Sequence, residues 1–437
     1  MTPTRCDAAI VGAGPAGSTA AILLARAGWS VVLVEKQIFP RRKVCGDCIA
    51  ASNFALFDAL GLGDRFAALA GPALRRVALW QGAAALVADL PPATDPQHPW
   101  GRALGREALD AMLLDQARRV GVRVMQPGVA LSLSGPAGDQ RLQLRDIQSG
   151  EQQWVRAPVV ILAQGSGLHR LADPGAARRP RHGSDLLAFK ANFRGADLAG
   201  GLLPVLGFAG GYGGLVVAEL GIATLACCIR ADRLDALRRA SPGQSAGEVV
   251  EAMLKRDCAS VARALQAAQR DGPWLAAGPL APGWRGRLGD APFCIGNAAG
   301  EAHPIIGEGM SMAMQSAWLL CQHLLRADRP TGARVTPAEA GRWQADVQRR
   351  YQADWRRHFL PRLRLAAAFA HLAMRPALSG PLLVLLQRWP ALLAWGAGRV
   401  TRWSGKLDCA ADPGAVTRLA ADAASRHARP ARTLTQP

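Results

Sequence analysis

Lysine is nearly missing from this 437-residue chain: Lys36, Lys43, Lys190, Lys255 and Lys406 are its whole supply, and the other basic residues are Arg. Aromatic residues make up only 5%. No compact Lys/Arg block is interleaved with them, which argues against nucleic acid as a partner. No apolar run is uninterrupted over the ~20 residues a spanning helix needs. The nine cysteines are odd in number and scattered, which excludes a disulfide scaffold and fits free thiols in a reducing cytoplasm. Cys45-Gly-Asp-Cys48 lacks a second pair at zinc spacing, so no metal is expected. No Ser/His/Asp or paired-carboxylate arrangement can be defended from spacing. No internal repeat is visible, and Met1–Cys6 reads as a polar lead into the first strand rather than a signal peptide.

What is present is charge and apolar mass. The 52 basic residues outnumber 33 acidic ones, for a formal net charge of +19, and half of the chain is apolar. The Arg and Ala bias reads either as gene base composition or as attraction to an anionic cofactor or membrane. The length suggests two or three structural units.

The first segment organises the rest. Ala8 to Val11 reads as a buried strand, Gly12-Ala13-Gly14-Pro15-Ala16-Gly17 as a tight turn, and Ser18 to Ala27 as a helix stopped by Gly28. A second strand, Trp29 to Val34, ends on Glu35 and Lys36. Gly12 turns the chain, Gly14 lets backbone approach a pyrophosphate, and Gly17 lets helix pack on strand. The helix N-terminus offers N–H groups to that pyrophosphate, and Glu35 can accept from a ribose hydroxyl. This is a dinucleotide-binding unit.

Along the chain follow a basic loop, Arg41-Arg42-Lys43-Val44-Cys45-Gly46, and a helix from Ala50 to Leu60. Paired strands flank Gln81-Gly82, and an amphipathic helix opens at Arg106. A meander spans Leu131 to Arg156, and a buried strand, Val159 to Leu162, runs into Ala163-Gln164-Gly165. Leu186–Phe193, Gly201–Phe208, Leu215–Leu220 and Ile222–Ile229 read as a separate antiparallel sheet. Val249 to Gln269 reads as one helix. A second glycine-rich loop, Gly296-Asn297 through His303-Pro304, Gly307 and Gly309, leads into a helix from Met310.

Together these four motifs resemble the FAD-dependent oxidoreductases of the para-hydroxybenzoate hydroxylase fold group, nearest the geranylgeranyl reductase and flavin-dependent halogenase branch. The resemblance covers about three quarters of the chain. It implies an α/β fold: a Rossmann-like FAD domain (1–74, 100–178, 285–330) carrying a sheet domain for substrate (75–99, 179–284). A helical region (331–408) and a flexible tail (409–437) follow. FAD would lie against Gly12 to Gly17, Glu35, Lys36, Lys43, Cys45, Gly46, Arg106, Val129, Gln164, Asn297, Pro304, Gly307, Gly309 and Met310.

Asn297 stands where relatives have Asp toward a ribityl hydroxyl. Gln164 replaces an Asp tied to FAD and NADPH pyrophosphates, which weakens the case for NAD(P)H as direct electron donor. The Trp-x-Trp-x-Ile-Pro signature of halogenases is missing, so halogenation is discounted. The implied activity is hydroxylation of an aromatic or lipophilic metabolite through a flavin hydroperoxide. The alternatives are reduction or dehydrogenation of an isoprenoid or polyketide C–C bond, or modification of a protein side chain.

Candidate catalytic residues are His303, Cys45 and Lys190. Cys45 is read as packing against the cofactor, with an activated thiol as the alternative; Lys190 is read on a solvated sheet face, with the cavity as the alternative. Glu308 reads as a loop charge at a helix start. The C-terminal helices, apolar and studded with Arg over 356–402, read as cover for the substrate cavity or as a peripheral membrane patch. Pro361, Pro376, Pro381 and Pro390 are expected to break them.

Overall fold

The computed structural model describes residues 3–166, 171, 180–286, 292–330, 336–389, 391–392 and 395–396. The proposed tail, 409–437, lies outside the described residues, as does the membrane-patch segment beyond 396.

Three apolar stretches with no polar face become the inner strands of a parallel sheet, the pattern of strands covered on both sides. Its order is Phe293–Cys294, Val159–Leu162, Ala8–Val11, Val31–Val34 and Arg123–Met125. Alternation along the strands divides two cores. Ala8, Ile10 and Leu33 face the helices Pro15–Arg26, Arg106–Arg119 and Gly309–Arg326. Ala9, Val11, Val32 and Val34 face a second sheet in which Leu142, Leu144 and Val155 are buried. That sheet joins Thr4–Arg5, Gln152–Ala157, Gln140–Asp146 and Gly128–Ser134.

An eight-stranded sheet forms the other half. Leu186–Arg194 lies between Ala223–Arg230 and the short strands Gln269–Arg270 and Leu275–Ala277. Arg76–Gln81 pairs with Leu202–Phe208 in parallel, so the sheet is mixed rather than antiparallel throughout. Phe189, Ala191 and Phe193 point to a core under the helices Ala246–Asp257 and Ala259–Ala264. The alternate residues, Ala188, Lys190 and Asn192, therefore face the nucleotide half.

Two helix expectations change. The run from Val249 to Gln269 is two helices, because Cys258 is extended (φ −140°, ψ 104°) and lets Gly82 bridge to it. Pro361 and Pro381 sit inside the helices Pro337–Ala373 and Pro376–Arg388 without ending them. The chain turns instead at Arg375, before Pro376, where a residue is pushed out of the helical region, and the two helices meet at 101°.

Candidate cofactor and substrate site

The glycines of the first loop do different work. A Cβ on Gly12 (φ +103°) would lie 2.5 Å from the Ala163 carbonyl oxygen, and one on Gly17 only 1.8 Å from the Gly12 oxygen. Both positions are closed by backbone. At Gly14 the nearest atom would be Arg106 Nη2 at 3.6 Å, so this glycine borders open space lined by a cation. That is the arrangement expected where a pyrophosphate lies against backbone. Glu35 is buried at the end of the second strand; its two oxygens accept from the backbone N–H groups of Ala13 and Gln37, each at 2.9 Å. It thereby clamps the loop and keeps lone pairs for a ribose. Gly128 donates to the Glu35 carbonyl at 2.8 Å, which sets half-buried Val129 beside this end of the site. Lys36 is exposed.

Three cations converge here. Arg106 makes a two-pronged bond to buried Asp110 (2.8 and 2.7 Å), and Arg41 approaches the same carboxylate at 3.3 Å. Two Arg41 nitrogens, Nε and Nη1, are buried with no partner among the described residues. Lys43 is exposed along the open cleft, yet the surrounding protein mass, with Arg106 and Arg41, pulls its ammonium down to about 8. A Cβ on Gly165 would come within 3.4 Å of Lys43 Nζ, so the basic loop and the Gln164-Gly165 turn meet. An excess of positive charge around this cleft, with unfilled Arg41 donors among the described residues, fits a diphosphate. Gln164 Oε1 is likewise buried without a partner. Arg41 and Asp110 were not among the expected site residues; their only signal was proximity to Lys43 and Arg106.

At the second loop, Asn297 donates from its amide to Ser166 Oγ (2.9 Å) and Glu301 (3.3 Å), leaving its carbonyl oxygen as acceptor for a ribityl hydroxyl. Arg285 holds Glu301 at 2.6 Å. Gly307 takes a left-handed conformation (φ +66°) and packs against Cys48, while Gly309 has open space where a Cβ would stand. Pro304 opens a short 3-10 turn, and Met310 is buried in the first turn of the following helix. Glu308 is no surface charge: it is buried, with Arg362 at 3.6 Å.

Between the halves lies Cys45-Gly46-Asp47-Cys48. Burial, then the Asp47 charge, pushes the Cys45 thiol up, opposite to the shift an activated thiol needs. No group of residues suited to a metal occurs among the described residues. Gly46 has no neighbour within 4 Å of a built Cβ. Lys190 is not on a solvated face. It is buried and bonded to Asp47, because its strand turns even-numbered residues toward this loop. Asp47, fully buried with φ +56°, also takes the Thr224 hydroxyl at 2.9 Å, and its Oδ1 has no partner among the described residues.

His303 is buried with Nδ1 3.1 Å from the Tyr212 hydroxyl and its ring 5.9 Å from that of His371. Burial and His371 draw His303 down to about 4, so it is neutral at ordinary pH. Burial holds the Tyr212 phenol protonated. Tyr212, one of two tyrosines in the chain, escaped the sequence reading because it sits amid glycines in the sheet. The structure thus gathers Cys45, Lys190 and His303 around the junction of loop and sheet, but gives each a partner that the sequence did not reveal.

The family of FAD binding domains matches residues 5–334. A menaquinone reductase of Mycolicibacterium smegmatis is 49% identical over 61 residues, 14% of this chain and 15% of that protein. A tryptophan 2-halogenase of Chondromyces crocatus is 36% identical over 131 residues, 30% of this chain and 24% of that one. The match therefore spans less than a third of either relative. Among solved structures, a triple mutant of the flavin-dependent brominase Bmp2 superposes with a TM-score of 0.70 at 18% identity, over 96% of this chain and all of that chain. At that identity the likeness is one of fold. The match over residues 5–334, with the two glycine loops and the cation-lined cradle, makes this chain a member of the FAD binding domain family, in the para-hydroxybenzoate hydroxylase group of FAD-dependent oxidoreductases.

Proposed function

We propose that the protein is an FAD-dependent reductase, or its reverse, that moves two electrons between the cofactor and a carbon–carbon double bond of a lipophilic isoprenoid or polyketide. The observation that carries this reading is the buried Tyr212–His303 pair at the end of the flavin loop. Reduction of a double bond delivers a hydride to one carbon and needs a proton for the other. Tyr212 keeps its proton in the resting site, and His303 orients the hydroxyl. Exposed His371, ring against ring with His303, connects the pair to solvent.

Bound FAD supplies the electron transfer; the chain's task is to bind, orient and exclude water. Arg41, Lys43 and Arg106 would hold the diphosphate, Glu35 a ribose and Asn297 the ribityl chain. Gln164, lacking the carboxylate that relatives use with NADPH, favours an electron donor other than a nucleotide. The name menaquinone reductase of a locally similar protein supports the same class of substrate.

The test is anaerobic. Holoprotein reduced with a stoichiometric amount of dithionite is mixed with a polyene or polyprenol that has no quinone ring, and the flavin spectrum and product mass are followed. Reoxidation without O₂, with a product two hydrogens heavier, supports reduction. Reoxidation only on admitting O₂, with a product one oxygen heavier, would replace it by the hydroxylation read from the sequence. Tyr212→Phe should keep FAD and lose about 10²–10⁴-fold in turnover.

A further inference from the structure

The helix Pro376–Arg388 is held to the eight-stranded sheet on one side only. Ser379 and Leu386, seven residues apart, are buried, and Gln81 donates to the Ser379 hydroxyl at 2.8 Å. Leu378 and Leu385, likewise seven apart, are exposed, with Val384 beside them at 66%. Trp389, Leu392 and Trp395 continue the exposed apolar surface past the last turn. A water-facing helix should turn polar residues outward; this one turns out leucine, valine and tryptophan.

Charge identifies what covers this face. Between Asp354 and Asp408 the sequence contains no acidic residue, and every charged side chain is Arg or Lys406. Arg375 and Arg388, both exposed, flank this helix at its two ends. A second copy of the chain would set these arginines against one another. No single helix is long and apolar enough to cross a bilayer among the described residues. An apolar stripe with tryptophans, rimmed by arginine and without acids, matches an anionic lipid surface on which a helix lies flat.

We propose that the helix Pro376–Arg388 and Trp389 after it dock the protein on an anionic membrane surface, with Leu378, Val384, Leu385 and Trp389 entering the headgroup boundary. The surface then adjoins the substrate side: Ala373 and Met374, at the bend, pack in the cluster that includes Tyr212, and Gly210 donates to the Met374 carbonyl at 3.0 Å. The proposal does not depend on which reaction the flavin performs.

Full-length holoprotein is sedimented with phosphatidylcholine vesicles, with and without phosphatidylglycerol, at low and high salt. Binding is expected on the anionic vesicles, weakened by salt. It should be roughly tenfold or more weaker for the Val384→Ser/Leu385→Ser/Trp389→Ser variant with unchanged FAD content. Should that variant lose FAD, brominated lipids should still quench the parent's tryptophan fluorescence, and quench Trp389→Phe less. Three results overturn the proposal: protein left in the supernatant at low salt, equal binding or quenching in parent and variants, or a lipid-free dimer that the triple variant makes monomeric.

Discussion

The two polar clusters on either side of Gly46 differ in what they leave unfinished. On the nucleotide side, Arg41, Lys43 and Arg106 share Asp110 and distant Glu35, and two Arg41 nitrogens lack partners. On the sheet side, charges and donors are matched in pairs: Lys190 with Asp47, Tyr212 with His303. Surplus positive charge around unfilled donors is best offset by an anionic ligand, whereas the sheet side balances its charges internally and leaves only the Asp47 Oδ1 acceptor without a partner among the described residues. This difference is why we propose the first cluster as the cofactor cradle and the second as the frame for chemistry.

The sharpest way to break this distinction is inside the first loop. Gly17→Ala should yield no soluble flavoprotein, since its Cβ meets backbone oxygen at 1.8 Å. Gly14→Ala should fold, with an apo melting temperature near the parent's, and lose tenfold or more in FAD affinity, roughly the effect of blocking one close backbone approach. Equal FAD affinity in Gly14→Ala would show that the cradle lies elsewhere. On the sheet side, Lys190→Met leaves the Asp47 charge buried with only the Thr224 hydroxyl on it, and should cost about 3–5 kcal/mol in chemical denaturation. Asp47→Asn added to it should restore most of that loss; if it does not, Lys190 acts through more than its pair.

How much of this was readable in advance follows from range. The glycine loops, the strand ending at Glu35 and the helix from Arg106 are local patterns, in which spacing alone imposes the turn and the dipole. Cys45 meets Asp47 locally, but the mates of Lys190 and His303, Asp47 and Tyr212, lie 143 and 91 residues away and are brought together by tertiary packing that no local spacing encodes. Lys190 shows the limit: alternation said that it opposes Phe189 and Phe193, but not which side of the sheet was covered. Pro361 shows another, since a proline's lost bond can be tolerated within a long packed helix.

The nucleotide side should also respond to pH through Lys43. Its ammonium titrates near 8 in the free protein, and a bound diphosphate would raise that value. FAD binding should then take up a proton above pH 8 and weaken as pH rises further. Calorimetry in two buffers of different ionisation enthalpy reads the proton, and Lys43→Met should abolish the difference. Buffer-independent binding in the parent would remove Lys43 from the diphosphate site.

The smallest effect expected is on the matched side. His303 titrates near 4 in the folded chain against about 6.5 unfolded, because burial and His371 oppose its charge. Above pH 6.5 both states hold it neutral, and it contributes no slope. As pH falls from 6.5 to 4, the unfolded chain takes up the proton first, so folded stability declines across that window and levels off below it. His303→Gln removes this term while losing the Tyr212 contact. The variant should melt below the parent at pH 7, and the gap should narrow toward pH 4. A gap that stays constant would mean that His303 reaches water freely, and that the Tyr212–His303 pair is no drier than the surface.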